Sequence, residues 1–90
     1  MKEVRRSGQF RKDLRSAERR GRDLSKLAEI LDLLITGRAL PPSNRDHALR
    51  GGEWKGCREC HIAPDWLLIY RDLGHELQLV RTGTHSDLFG

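Results

Sequence analysis

The sequence pattern predicts an α+β fold, an N-terminal αα-hairpin packed on a curved antiparallel β-sheet, as a single domain over residues 1–90. Two observations carry this expectation. Apolar residues recur with a helical period before Pro41-Pro42 and with strand-like patterning after it. The strand candidates also follow one another too closely for helical crossovers, so their pairing should be antiparallel.

Taken in order, residues 2–5 are candidates for an added edge strand. Ser7 is a plausible N-cap for a first helix over 7–20, in which Phe10, Leu14 and Ala17 share a face and Arg11, Lys12, Arg15, Arg19 and Arg20 lie mostly elsewhere. Gly21 offers a stop. A second helix is expected over 23–36, because Leu24, Leu27, Ile30, Leu31, Leu34 and Ile35 keep the 3.6-residue period. Gly37 ends it, and Pro41-Pro42 prevents a restart. The sheet is expected mainly from residues 47–88. Gly51, Gly52 and Gly56 punctuate a first short strand and its turn, and a second runs from Cys57 to Ile62. The unbroken apolar run Trp66–Tyr70 suits a strand buried on both faces. After a turn at Asp72–His75, Glu76–Arg81 alternates, with Leu77 and Leu79 on one side and Gln78 and Val80 on the other.

An apolar fraction of 37% and a charged fraction of 33% describe a folded globule rather than a disordered segment. No apolar run is long enough to span a bilayer. The opening MKEVRRSGQF has no apolar stretch behind its charges, so a secretory signal is not expected, and the expected location is the cytoplasm. Lys and Arg number 17 against 13 acids, for a net charge of +4. That balance favours an anionic partner: nucleic acid, a membrane surface or an acidic protein.

Cys57-Arg58-Glu59-Cys60-His61 matches the C-x-x-C-H string of c-type haem attachment. That chemistry occurs outside the cytoplasm, the only methionine is Met1, and on a strand positions 57 and 60 point to opposite faces. Zinc is little better supported, since a single C-x-x-C lacks a second ligand pair at finger spacing. The expectation is two reduced thiols filling small spaces, with no metal and no cofactor.

The histidines are more informative. His47, His61 and His85 all lie in polar contexts in the strand-rich half. Imidazole both gives and takes a proton near neutral pH. RNA carries its own nucleophile, the 2′-hydroxyl; cutting it needs a base, an acid for the departing 5′-oxygen, and cations for charge growing on phosphorus. Histidines beside arginines supply all three.

Three blocks then carry a resemblance that runs the length of the chain: Asp46-His47-Ala48-Leu49 before the Gly-Glu-Trp-Lys-Gly turn, Gly56 through Tyr70, and Arg81-Thr82-Gly83-Thr84-His85-Ser86-Asp87-Leu88-Phe89. Together they resemble the YafQ branch of the RelE toxin superfamily. The resemblance implies a RelE-like ribonuclease fold and an mRNA interferase that acts in the ribosomal A site by metal-independent acid–base chemistry. It also implies silencing by a cognate antitoxin, a DNA-binding dimer with an acidic segment, and a free toxin that is monomeric. Carried onto matching positions, it gives proton transfer to His47, His61, Asp65 and His85. Charge stabilisation falls to Arg81, and placement of a base or of the C-terminus to Phe89. Lys55, Arg58 and Arg71 are the expected RNA-side contacts. Glu59 occupies a place where relatives carry Asp or Glu, and Cys57 stands where an aromatic residue is expected. Trp66 is expected in the core. The alternative is a non-catalytic basic module, a degenerate toxin that binds RNA or protein. A gyrase-directed toxin ranks lower, because those relatives lack the histidine set.

Overall fold

A computed structural model describes residues 1–90. In chain order come β1 (Glu3–Arg6), α1 (Gly8–Arg19), α2 (Leu24–Ile35), β2 (His47–Ala48), β3 (Arg58–Ala63), β4 (Trp66–Asp72), β5 (Glu76–Gly83) and α3 (His85–Phe89). Both long helices fall within one residue of their expected bounds, because local capping chemistry sets their ends. The Ser7 hydroxyl accepts the Phe10 N–H at 2.9 Å, and Asp23 accepts the Ser25 N–H at 3.0 Å. Gly21, at φ 78°, takes the left-handed turn between them.

The sheet order is β1-β5-β4-β3-β2, with β2 to β5 antiparallel as expected. The edge strand departs from the expectation: β1 runs parallel to β5, pairing Glu3 with Glu76 through Arg6 with Leu79. The sheet is therefore mixed. Ser7 explains the placement, since its N–H donates to Leu79 O at 3.0 Å and its hydroxyl to Val80 O at 2.8 Å. The start of α1 is thus tied to β5, and the four residues before it are laid along that strand.

Both faces of β4 are covered. Trp66, Leu68 and Tyr70 join Phe10, Ala17, Leu27, Ile30 and Leu34 in the core beneath the helices. Leu67 and Ile69 join Cys57 and Leu88 in a smaller cluster on the opposite face. Burying each such large side chain contributes roughly 1.5–3 kcal/mol, which is how 90 residues sustain two cores. Leu77 and Leu79 pack under the helices while Val80 packs on the second cluster, as the alternation predicts. A register shift at Ile69/Tyr70 interrupts that alternation before Arg81.

The chain also ends differently from the expectation. Within the stretch 47–88 expected mainly to form the sheet, the last residues are helical, and 85–89 form α3. Thr84 and Asp87 make a reciprocal capping box, and Leu88 buries its side chain on the second cluster.

Candidate active site

Directly opposed residues on neighbouring strands project from the same face of a sheet. His47 opposes Glu59, Glu59 opposes Ile69, and Ile69 opposes Arg81, so one row crosses four strands. In the next row His61 opposes Leu67, which opposes Gly83. Leu67 and Ile69 belong to the smaller cluster, so these rows lie on the face away from α1 and α2. Gly83 is required there: a Cβ on it would come within 2.9 Å of Asp87 Cβ on α3.

Glu59 is the centre of the first row. It is 5% exposed, and its Oε1 lies 3.5 Å from His47 Nε2 and 3.9 Å from His61 Nε2. His47 Nδ1 lies 2.7 Å from the Arg45 carbonyl oxygen, which can only accept, so Nδ1 carries the hydrogen and Nε2 faces Glu59. Arg45 itself has φ 48°, a left-handed conformation costing about 1–3 kcal/mol that the surrounding fold must offset.

His85 stands at the start of α3, its ring centroid 5.7 Å from that of His61. Asp65, in the β3–β4 turn, takes both the His85 backbone N–H at 3.0 Å and the ring Nδ1 at 2.8 Å. The backbone N–H, then the ring, hold the Asp65 carboxyl below the usual carboxylate range. An ionised Asp65 places the ring hydrogen on Nδ1 and leaves His85 Nε2 for chemistry. Phe89 lies one turn further on α3, 6.5 Å from His85 and edge-on to Trp54 at 5.2 Å.

The remaining expected site residues are distributed differently. Arg81 ends the first row but is gripped by Asp13 of α1, whose carboxylate receives Nε at 2.8 Å and Nη2 at 3.1 Å. Arg58 points to the helix-covered face, where Nε lies 3.2 Å from Asp46 Oδ1 and the Tyr70 hydroxyl donates to the same oxygen. It is not brought to the histidines, because it neighbours Glu59 on an alternating strand. Arg71 approaches the Lys55 carbonyl at 3.5 Å and the Cys57 sulfur at 3.8 Å, at the other end of the histidine face. His75 is exposed in its turn, remote from all of these.

The structure adds residues that the sequence did not single out: Trp54 behind Phe89, Asp13 on Arg81, and Arg20 and Arg22 around α3 and Asp65. Spacing along the chain carries no signal for them, since each meets its partner across elements. Trp66 is 2% exposed and sits in the core, with the Arg22 guanidinium 5.5 Å above its ring.

The two cysteines lie in opposite cores, Cys57 with Leu67 and Ile69, Cys60 with Leu68 and Tyr70. Burial pushes the Cys60 thiol up to about 12. Imidazole and carboxylate are suitable donors for several transition metals, yet no three His, Cys, Asp or Glu side chains converge at ligand spacing. No helix is long and apolar enough to cross a membrane.

Residues 2–90 match the family model for YafQ, a bacterial toxin of type II toxin–antitoxin systems. The mRNA interferase toxin YafQ of Escherichia coli is 46% identical over 85 residues, covering 93% of this chain and 91% of the relative. A crystal structure of the E. coli DinJ–YafQ complex contains a chain 43% identical, with a TM-score of 0.92 and complete coverage of both, 100% and 100%. A metal-bound toxin from Helicobacter pylori is 42% identical with a TM-score of 0.90, over 99% of this chain and 100% of that one.

Proposed function

The chain belongs to the YafQ family of type II toxins, and from that premise we propose that it is an mRNA endoribonuclease acting on ribosome-bound message. The observation that supports this most is the convergence of three imidazoles on one exposed face: His47 and His61 on either side of buried Glu59, and His85 beside His61.

The reaction is transesterification. An imidazole Nε2 takes the 2′-hydroxyl proton, the 2′-oxygen attacks phosphorus, and the P–O5′ bond breaks as a second imidazolium protonates the leaving oxygen. The products are a 2′,3′-cyclic phosphate and a 5′-hydroxyl end. Asp65 holds His85 in the tautomer that frees Nε2, and Glu59 orients the other two rings. Arg81, kept charged and extended by Asp13, meets negative charge developing on the phosphate. Phe89, braced by Trp54, offers a face for a base. Lys55 and Arg71 extend the basic surface for RNA phosphates, whose contribution falls with salt.

The partner proposed to silence this site is a cognate antitoxin with an acidic segment that meets the basic surface; the E. coli relative is found in a DinJ–YafQ toxin–antitoxin complex. The expected setting is the cytoplasm, where its message is translated.

The test is single-turnover cleavage of ribosome-bound mRNA. His47→Ala, His61→Ala and His85→Ala should each lower the rate by at least about tenfold with folding intact. His75→Ala should leave it unchanged. Cleavage should persist in EDTA; loss in EDTA with recovery on adding zinc or copper would replace the imidazole mechanism with a metal-assisted one.

A further inference from the structure

His47 stands on the smallest element of the fold. β2 is two residues long and lies at the edge of the sheet, where His47 pairs with Glu59 and Ala48 with Arg58. Leu49 extends this ladder by one backbone bond to Cys57 at 2.9 Å. So short an edge ladder is easily shifted, and a slip of one residue would turn His47 to the other face of the sheet. On the side that precedes His47, the strand needs a hold from outside the ladder.

Asp46 supplies that hold from the helix-covered face. Its Oδ1 accepts the Tyr70 hydroxyl at 2.6 Å and Arg58 Nε at 3.2 Å. Tyr70 is 1% exposed in the larger core and sits on β4, the central strand, so its hydroxyl is a fixed point reached across β3. Burial, then the bond to Asp46, pushes that hydroxyl above its ordinary range, and it stays a donor. Neighbouring residues along a strand project to opposite faces, so anchoring Asp46 on one face aims His47 at the other. Asn44 is tied as well, its Nδ2 donating to the His61 carbonyl at 2.7 Å. Between these two anchors Arg45 takes its left-handed conformation, φ 48°, which brings its carbonyl oxygen to 2.7 Å from His47 Nδ1.

We propose that Tyr70, acting through Asp46, is a positioning residue for His47: a hydroxyl in the core beneath the helices holds an imidazole on the opposite face in its reactive orientation and tautomer. The proposal rests on the endoribonuclease reading for what His47 does, but the coupling is a property of the folded chain. Neither Tyr70 nor Asp46 touches the RNA. Arg58, which shares Oδ1 of Asp46 with the tyrosine, takes part in the same anchor.

The experiment has two arms. In the first, the imidazole nitrogens of the full chain are followed by NMR above the pH at which the rings titrate. An unrestrained histidine favours hydrogen on Nε2, whereas His47 should carry it on Nδ1. Tyr70→Phe, which keeps the ring in the core, and Asp46→Ala should each return His47 towards the Nε2–H form. Asp46→Asn, which keeps an acceptor for the hydroxyl, should preserve the wild-type form, and His85, held by Asp65, should be unchanged in all three. In the second arm, Tyr70→Phe should lower single-turnover cleavage of ribosome-bound mRNA by about tenfold, with mRNA binding within about twofold of wild type. In a His47→Ala background the same substitution should cost less than about twofold, because the residue through which it acts is gone. An equal loss in both backgrounds means general loosening and overturns the proposal. So does a His47 tautomer that neither Tyr70→Phe nor Asp46→Ala alters, or an altered tautomer with unchanged cleavage. Absence of cleavage by the wild type would defeat the nuclease reading instead, and the ring-nitrogen arm would still decide the coupling.

Discussion

Glu59 shows how one residue acts through its surroundings. A carboxylate at 5% exposure is costly unless partnered, and the basic groups that approach it within 4 Å are His47 Nε2 and His61 Nε2. Both distances exceed a good hydrogen bond, so the carboxylate orients the rings by charge more than by a directed bond. Gln has the same shape without that charge. Glu59→Gln should therefore slow single-turnover cleavage by about tenfold while mRNA binding and the melting temperature change little. A variant as active as wild type would remove Glu59 from the site and leave it as a buried structural acid. Cys60 makes the opposite point. Its thiol, raised to about 12 in an apolar core, stays protonated and unreactive at neutral pH despite the suggestive string around it.

Among the elements, α3 depends most on others. Five residues cannot sustain a helix alone, and this one holds both His85 and Phe89. Its supports are the Thr84–Asp87 capping box, Leu88 in the second cluster, Asp65 on the His85 N–H, and the Arg20–Asp87 ion pair. The pair leaves a pH signature. Arg20, then the Thr84 N–H, hold the Asp87 carboxyl at about 2 against an ordinary 3.8. A depressed carboxylate stabilises the fold above its unfolded pKa, and that contribution is lost as pH falls through the folded value. The window is therefore about pH 4 down to about pH 2. Solvent screening of this half-exposed pair keeps its contribution small. Asp87→Asn should melt a few degrees below wild type at pH 7. The gap should narrow steadily below pH 4; a gap independent of pH would show that the loss comes from the cap geometry alone.

At the scale of the whole molecule, the sheet divides the labour. One face is closed by α1 and α2 over the larger core, and the other keeps a small cluster at its centre with the histidine rows beside it. A domain of 90 residues with so divided a core has a modest stability margin. A tightly bound antitoxin stabilises such a chain by mass action, by about 2.7 kcal/mol at a hundredfold excess over its dissociation constant. The complex should therefore melt at least about 10 °C above the free chain. Expression of the chain alone should arrest growth, and the antitoxin should relieve it. Free growth with wild-type protein accumulating would count against toxicity itself.

The sequence by itself determined the elements whose causes are local. Ser7, Asp23 and Gly21 mark the helix ends through caps and a left-handed turn, and the unbroken run at Trp66–Tyr70 marks the doubly covered strand. The family blocks likewise singled out His47, His61, Asp65 and His85; in the structure Asp65 holds His85, the His85 and His61 rings lie 5.7 Å apart, and His61 and His47 both approach Glu59. Tertiary structure decided what depends on pairing between distant segments. The direction of β1 follows from Ser7 docking on β5, which four mostly polar residues cannot announce. The separation of Arg58 from the histidines follows from strand alternation. The grip of Asp13 on Arg81 and of Arg20 on α3 spans 68 and 67 residues of chain. Periodicity and capping act within a few residues, whereas a charged side chain finds its partner only after the sheet has set which edges and faces meet.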